Sequence, residues 1–515
     1  MQKRKLPIGI QTFRKIREDD YYYVDKSAYL TQLNDEGTHF FLSRPRRFGK
    51  SLFLDTLEEL FEGSEELFRG LAIHGDWDWS VRHPVVRLSF GGGNYTEPGQ
   101  LHASLMAQLD AVQRRTGAAS DCATAPERFA RVLEELHQQS GRRVVVLVDE
   151  YDRPILDALD SPEVARDNRD FLRGFYSVVK DADSHVRFVF LTGVSRFSKV
   201  SLFSGLNNLA DITLDARYSA ICGFTDADLD DVFAAELPGL DRARIREWYS
   251  GYAWLGEEKV YNPYDVLPLF LNRRFDAYWF ETGTPRFLVD TLFERRVTTM
   301  ALAEMVGGVE LLSAFDVGQI GTEALLFQTG YLTVRSVDDA IGERLFRLGY
   351  PNREVRQSLN RALLGNLVKD VGRELRNSVR LTELLAANDF DGMRDLFEAF
   401  YASIPYQWYT NNDIADYEGY YASVFYSYFA ALGLDIVVED SSSHGRLDMA
   451  VRANGNVYLF EFKVAEQSPP GSALKQLEEK DYAAKYRASG EPIHLVGVEF
   501  SSAARNVTAF EVAHA

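Results

Sequence analysis

Two carboxylates and a lysine near the end of the chain have the types and the spacing of a phosphodiester-cutting site. Asp448 precedes Glu461 by thirteen positions, and Lys463 follows Glu461 by two. Residues two apart in a β-strand lie on one face, and a hairpin turning at 453–456 would bring Asp448 next to Glu461. Two carboxylates hold a hard cation such as Mg²⁺, and a nearby lysine stabilises a charged phosphate. We therefore expect all three residues to be catalytic and the two acids to bind metal.

The elements predicted around this motif favour a catalytic domain over a surface ion pair, which is the plain reading of a Glu-x-Lys triplet. They follow the order α-β-β-β-α-β, beginning at Glu418 and covering Leu434–Glu439, Arg446–Val451, Val457–Lys463, Ser472–Arg487 and Ile493–Phe500. This order, with Glu418 on the first helix and Gln476 on the second, resembles the PD-(D/E)XK nuclease superfamily. The resemblance implies a C-terminal α/β restriction-endonuclease-like domain, with Glu418 as an outer metal ligand and Gln476 positioning the substrate backbone.

A second candidate site follows a short apolar strand, His39–Leu42. The loop after this strand ends in Gly49-Lys50-Ser51, and a helical stretch comes next. A strand, a loop ending in Gly-Lys-Ser and a helix bind phosphate, because backbone N–H groups and the helix N-terminus face the anion. We expect Gly49 to shape the loop, Lys50 to reach the terminal phosphates and Ser51 to bind magnesium. The general pattern has a glycine five residues before Gly49, where this chain has Arg44.

Two further apolar runs end in polar residues that suit the same chemistry. The first ends at Val148 and precedes Asp149 and Glu150, and the second precedes Thr192 and Arg196. We expect Asp149 to order the magnesium ion and Glu150 to position the attacking water. Thr192 or Arg196 would then sense the γ-phosphate. A core strand that ends in a solvated Asp-Glu turn is the common alternative for the first run.

These segments and others further along resemble the bacterial AAA-ATPase-like family. The resemblance is carried by Arg44–Ser51, Asp149–Pro154, Thr192–Phe197, Trp248–Tyr252, Tyr261–Tyr264, Tyr278–Pro285 and Gln328–Leu332. The family's own loop also reads Arg-Pro-Arg-Arg-Phe-Gly-Lys-Ser, so Arg44 departs only from the general pattern. The resemblance implies ATP binding, with Mg²⁺, and a nuclease domain at the C-terminal end.

Alternating strands and helices predict an α/β fold in which a P-loop NTPase has a parallel sheet with helices on both faces. We predict four parts. They are a P-loop domain at 1–220 with an N-terminal arm at 1–37, a lid or winged-helix-like domain at 221–300, a helical connector at 301–410 and the nuclease-like domain at 411–515.

Composition restricts the partners and the compartment. The chain has 515 residues, a net charge of −19 and two cysteines, Cys122 and Cys222. Such an acidic chain is not a passive nucleic-acid coat, although an enzyme with local basic patches still binds DNA or RNA. Two cysteines give neither a disulfide framework nor a zinc site and fit a reducing cytoplasm. No apolar stretch has the length of a membrane span, so we expect a cytoplasmic protein without a membrane partner.

One basic patch, Arg44, Arg46 and Arg47, precedes Gly49. We assign it to nucleotide phosphate, of this chain or of a neighbouring subunit in a homo-oligomer. The function expected from these features is an ATP-dependent switch fused to a magnesium-dependent nuclease. Two alternatives stay open: a signalling or assembly ATPase whose nuclease-like domain only binds nucleic acid or a protein partner, and a nucleic-acid-binding module with both sites inert.

Overall fold

The computed structural model describes residues 3–118, 122–196, 208–280, 288, 291–292, 295, 297, 299–303, 305–308, 321–338, 344–368, 371–404, 418–442 and 445–515. The chain forms two compact units. The first unit comprises residues 1–279 and 306–352, and the second unit comprises residues 280–305 and 353–515. The predicted boundaries at 220, 300 and 410 stay predictions. Among the described residues, no helix combines the length and the apolar character needed to cross a membrane.

A five-stranded parallel sheet forms the centre of the first unit. Its strands are β1 (His39–Ser43), β2 (Val85–Ser89), β3 (Val144–Asp149), β4 (Val186–Gly193) and β5 (Ala210–Asp211), in the spatial order β2-β3-β4-β1-β5. Every residue of β3 is buried. Because successive residues of a strand point to opposite faces, both faces of the sheet are covered. The apolar run before Asp149 is therefore the buried parallel strand that its composition predicts.

Helices precede, connect and follow these strands. They are α1 (Phe13–Glu18), α2 (Ala28–Glu36), α3 (Lys50–Phe61), α4 (Glu65–Phe68), α5 (Gln100–Thr116), α6 (Ala125–Ser140), α7 (Arg153–Leu156), α8 (Pro162–Asp181), α9 (Asp226–Asp231), α10 (Arg242–Tyr249) and α11 (Pro263–Asn272). Local signals fix several ends. Proline stands in the first turn of α6 and of α8, where its missing N–H costs nothing. Gly117 and Gly141 end α5 and α6 in the left-handed conformation that favours glycine.

The predicted helical connector differs from expectation before residue 353. This stretch contains α12 (Thr322–Thr329) and a small sheet of β6 (Met305–Gly307), β7 (Thr333–Asp338) and β8 (Leu345–Gly349), in the order β6-β8-β7. In β8, the side chains of Phe346 and Leu348 are buried while Arg347 between them is exposed. This alternation has the period of a half-buried strand. The aromatic content of the stretch makes that period hard to recognise in the sequence.

The second unit has helices α13 (Arg353–Val368), α14 (Val371–Ala387), α15 (Phe390–Tyr401), α16 (Glu418–Ala431) and α17 (Ser472–Glu479). Its sheet has strands β9 (Asp435–Ser442), β10 (Gly445–Ala453), β11 (Asn456–Val464), β12 (Ile493–Ser501) and β13 (Asn506–His514), in the order β13-β12-β11-β10-β9. Only β11 and β12 are parallel neighbours. The edge strand β13 was not predicted, because most of its residues are partly or fully exposed and it lacks an apolar run.

The core of the second unit lies on both faces of β11. On one face, Phe425 of α16 packs against Phe462, with ring centroids 5.3 Å apart. On the other face, α17 crosses β12 at Gly497, where a Cβ atom would lie 2.4 Å from the backbone nitrogen of Leu474. The helix predicted at 472–487 ends at Glu479, because Asp481 takes a left-handed φ of 43° and 3₁₀ turns follow.

Candidate nucleotide and metal sites

The loop between β1 and α3 has the shape of a phosphate-binding loop. Gly49, which precedes α3, has a φ of 98°, and Arg47 has a φ of 69°. Left-handed backbone of this kind favours glycine, and no atom lies within 4 Å of where a Cβ atom of Gly49 would be. The first N–H groups of α3 carry a partial positive charge that attracts anions. Backbone shape and electrostatics therefore both fit a nucleotide phosphate.

Arg44 does not belong to the basic patch predicted in this loop. Its guanidinium is fully buried and donates hydrogen bonds to the carbonyl oxygens of Ser43, Thr213 and Tyr218 at 2.9–3.0 Å. It also lies 4.1 Å from the ring centroid of Trp254, and burial lowers the pKa of Arg44 to about 10. The patch prediction is wrong for this residue, because carbonyl oxygens of Thr213 and Tyr218 bind the Arg44 guanidinium inside the core.

Lys50 and Ser51 begin α3, and both line a cavity beside the phosphate-binding loop. The Lys50 ammonium is buried and donates to the carbonyl oxygens of Arg44 and Pro45, at 2.8 and 3.0 Å. Burial lowers the pKa of Lys50, since a charge is less stable away from water. The amine therefore bonds to its own loop, where an incoming phosphate would offer it a stronger, charged acceptor.

The tips of β3 and β4 meet as predicted, and they bring Asp149 to Thr192. The Thr192 hydroxyl donates to Asp149 Oδ1 at 2.7 Å, and both side chains are buried. Arg196 lies elsewhere: its Nε forms an ion pair with Asp211 of β5. Among the described residues, those that line the cavity beside Lys50 include none of Arg196, Thr192 and Asp149, so the two candidates differ by their partners. The geometry thus separates the two candidate sensors.

Glu150 lines the cavity in a strained backbone conformation. Its φ is 52°, in the left-handed region that non-glycine residues rarely occupy and that is found at functional sites. Arg153, at the start of α7, donates from Nη1 to Glu150 Oε2 at 3.0 Å and also to the carbonyl oxygen of Gly91. The acid predicted to position water is therefore held by a cation that the sequence reasoning did not single out.

The cavity beside the phosphate loop has a volume of about 540 Å³. Besides the predicted residues, it is lined by parts of the N-terminal arm, Pro7, Gly9–Gln11 and Tyr22–Val24, and by Tyr264. The Arg47 guanidinium lies 3.9 Å from the Tyr264 ring centroid, in cation–π contact. The Tyr261–Tyr264 motif was the available signal for Tyr264, and Asn262 fixes it by accepting the Tyr264 N–H at 2.9 Å. No sequence motif predicted that the N-terminal arm would line this cavity.

The hairpin of β10 and β11 brings the predicted metal ligands together. Its turn residues, Asn454 and Gly455, both have positive φ, at 50° and 73°, as a two-residue type I′ turn requires. Met449 pairs with Phe460, and continuing this register by one residue sets Asp448 opposite Glu461. The Asp448 carboxylate accepts the backbone N–H of Phe462 at 2.8 Å.

Glu461 is the centre of a polar cluster between β11 and α17. Its side chain is 1% exposed, and Oε1 accepts hydrogen bonds from Lys463 Nζ at 3.0 Å and from Gln476 Nε2. Gln476 therefore contacts the carboxylate itself. Sequence reasoning did not assign Tyr482 to the site. Burial raises the pKa of Tyr482, and the nearby negative charges of Glu461 and Asp448 also raise it.

The donor set of this cluster fits magnesium, which prefers carboxylate oxygens and is often held by one or two of them together with waters and substrate phosphate. Among the described side chains, no group of three or more His, Cys, Asp or Glu residues could hold a metal; Asp448 and Glu461 stay the predicted pair of ligands. Glu418 begins α16, but its side chain lies outside the described residues, as do Phe197 and 281–285.

Comparisons with known proteins agree with this architecture. The family described as "Predicted AAA-ATPase" matches residues 7–203, and the family described as "PD-(D/E)XK nuclease superfamily" matches residues 416–510. A protein of Azotobacter chroococcum mcd 1, described as "Uncharacterized protein in vnfD 5'region", is 60% identical over 513 residues, which is 99% of both chains. The chain therefore belongs to the AAA-ATPase-like family, with a C-terminal domain of the PD-(D/E)XK nuclease superfamily.

Proposed function

We propose that this protein binds and hydrolyses ATP beside the phosphate loop and cuts DNA or RNA at the Asp448–Glu461 pair, with nucleotide controlling the cutting. One observation carries the first half: Lys50, Ser51 and Glu150 line a single cavity. These are the three side chains that phosphate binding, magnesium binding and water activation need. The cavity volume of about 540 Å³ falls in the range of small-molecule sites.

At the nucleotide site, Lys50 leaves its loop carbonyls and binds the β- and γ-phosphates, and Ser51 would help to hold the magnesium ion. Magnesium would neutralise charge on the phosphate oxygens. Asp149 is held in a fixed orientation by the Thr192 hydroxyl, so Thr192 reports the state of this acid. Thr192 is therefore our choice of sensor over Arg196, which pairs with Asp211. Glu150 orients the attacking water.

At the nuclease site, Asp448 and Glu461 would hold a magnesium ion, which would supply Lewis-acid activation of the scissile phosphate and of the attacking water. Lys463 turns from Glu461 Oε1, 3.0 Å away, to the developing charge on the phosphate. Gln476 keeps its hydrogen bond to Glu461 and so fixes the carboxylate when Lys463 departs. The substrate-positioning role predicted for Gln476 is thereby extended to orienting a metal ligand.

The test combines both activities. Purified protein is incubated with single- and double-stranded DNA and RNA, with Mg²⁺ or Mn²⁺, and with or without ATP. We expect metal-dependent cutting that the double variant Asp448→Asn, Glu461→Gln abolishes while ATP turnover persists. Lys50→Ala should weaken ATP binding, and Glu150→Gln should retain binding but lose turnover. Metal-dependent cutting that survives in the double variant would contradict the nuclease assignment.

One observation favours the assembly-ATPase alternative. Several cations near the Glu461 cluster are already paired with acids: Arg446 with Glu439 at 3.1 Å, Arg487 with Asp481, and Lys485 with Asp440. Paired cations release fewer counterions when they meet a phosphate backbone, so nucleic-acid affinity is reduced. ATP-dependent assembly without cutting of any substrate in the panel would select this alternative, in which the second unit binds nucleic acid or a protein.

A further inference from the structure

Arg153 combines a fixed guanidinium with a position beside Glu150. Its Nε donates to Asp157 Oδ2 at 3.3 Å, and its Nη1 donates both to Glu150 Oε2 at 3.0 Å and to the carbonyl oxygen of Gly91. Nη2 donates no hydrogen bond to any residue that the structure describes. The side chain is 33% exposed and lines the cavity that Lys50 and Ser51 also line.

The contacts of Arg153 are more extensive than a purely structural ion pair with Glu150 requires. A partly exposed ion pair three residues apart contributes little to stability, whereas a guanidinium held at Nε and Nη1 presents the N–H groups of Nη2 in a defined direction. Guanidinium N–H groups match phosphate oxygens in geometry and charge. Lys50, the other cation of the loop, is buried and bonded to two carbonyl oxygens. A second cation is therefore available where the terminal phosphate must lie, close to the acid that orients water.

We propose that Arg153 is a catalytic residue of the ATPase site: Nη2 binds the γ-phosphate while Nη1 retains Glu150. The inference rests on the proposed ATP hydrolysis. Arg153 then links the arrival of a γ-phosphate to the orientation of Glu150, within one chain. No neighbouring subunit is needed to supply the arginine.

In the step that Arg153 assists, the oxygen of water bonds to the γ-phosphorus and the bond from that phosphorus to the β,γ-bridging oxygen breaks. Glu150 accepts a proton from the water and returns it to the released inorganic phosphate, and ADP leaves with the bonding electrons on its β-phosphate. Negative charge grows on the bridging oxygen and is shared by the γ-oxygens, which is where a fixed cation lowers the barrier.

The test compares affinity for two nucleotides in Arg153→Gln and in the wild-type chain. We expect Kd for Mg-ADP to stay within about twofold, since ADP has no γ-phosphate. Kd for a non-hydrolysable ATP analogue should rise about tenfold, the loss of one charged hydrogen bond. Turnover at saturating ATP should fall by about 10²- to 10³-fold. Arg153→Lys should recover part of the analogue affinity, and added guanidinium should recover part of the turnover of Arg153→Ala.

Controls separate this inference from the proposed function. Arg131→Gln removes an exposed arginine that pairs with Glu134 on α6 and should change neither Kd. The ADP affinity of Arg153→Gln also reports whether the site is folded. An unchanged ratio of the two Kd values, with wild-type turnover, would overturn the role of Arg153 and leave the ATPase intact. Failure of the wild-type chain to bind either nucleotide would overturn both.

Discussion

The indole Nε1 of Trp279 donates a hydrogen bond to the backbone carbonyl oxygen of Arg46, 3.1 Å away. Trp279 is 2% exposed and packs on Tyr331, with ring centroids 5.3 Å apart. Residues 280–305 belong to the second unit, where the backbone N–H of Phe280 bonds to Glu354 at 3.1 Å. The phosphate loop is thus bonded to the residue at which the chain leaves the first unit.

This relationship predicts that Trp279→Phe weakens the proposed control of cutting by nucleotide. Phenylalanine keeps most of the packing but cannot donate to Arg46, at a cost of about 1 kcal/mol. ATP turnover should persist, while the change that an ATP analogue produces in cutting rate or solution mass should shrink. A ligand shifts an equilibrium only through differential affinity for two states, so both readouts are compared without nucleotide, with ADP and with the analogue.

The matched control is Trp79→Phe. It also removes an indole-to-carbonyl hydrogen bond, to His74 at 3.0 Å, but His74, unlike Arg46, is not among the residues lining the cavity beside the phosphate loop. Coupling retained in the Trp279 variant, or lost equally in both variants, would refute this route.

A second prediction concerns Arg44, the departure from the general loop pattern. Arg44→Gly restores that pattern but leaves the carbonyl oxygens of Ser43, Thr213 and Tyr218 without their donor and opens a cavity against Trp254. We expect a loss of about 3–5 kcal/mol in the free energy of unfolding, measured by denaturant titration. Stability equal to the wild type, with tighter ATP binding, would mean that the general pattern is better here too.

The third prediction tests how α17 positions Gln476. In Gly497→Ala the new Cβ atom would lie 2.4 Å from the backbone nitrogen of Leu474, so α17 must move and carry Gln476 from Glu461. Cutting should fall by at least about tenfold, and stability by about 1–3 kcal/mol, as in an overpacked core. Gly174→Ala is the control, because no atom lies within 4 Å of its Cβ position in α8. Wild-type cutting by Gly497→Ala would separate α17 from the site.

The fourth prediction is a pH dependence. His494 and His514 approach with Nδ1 atoms 3.1 Å apart, and burial, then the His514 charge, lower the pKa of His494. A depressed folded-state pKa contributes stability above the unfolded-state value of about 6.5 and loses it as pH falls through the folded value. Strands β12 and β13 should therefore exchange amide hydrogens faster at pH 5.5 than at pH 7.5, after correction for intrinsic exchange.

His514→Gln should reduce this acid sensitivity, because it removes one of the two charges that repel each other when both rings are protonated. Hydrogen exchange of peptides covering 493–515 is the measurement. An unchanged difference between the two pH values in the variant would assign the acid sensitivity to another group.

The sequence alone determined the local chemistry of both sites. The proximity of Gly49-Lys50-Ser51 to the acids at the end of β3, Asp149 and Glu150, could be predicted because the carboxyl ends of parallel strands meet at one edge of a sheet. Asp448 and Glu461 could be paired because Asn454-Gly455 is a two-residue hairpin turn, which fixes the register over a short length of chain. Secondary structure in these regions follows from hydrophobic periodicity and turn residues. Both signals can be recognised within a few consecutive residues.

Tertiary structure alone decided what surrounds those residues. The burial of Arg44 depends on Thr213 and Tyr218, the pairing of Arg196 depends on Asp211, and the Glu150–Arg153 contact depends on Gly91. These partners come from other elements, and their approach depends on how helices and loops pack on the sheet. The same kind of packing between distant elements places the N-terminal arm in the lining of the cavity beside the phosphate loop. Contacts between segments that are distant in sequence follow no periodicity, so no local sequence pattern predicts them.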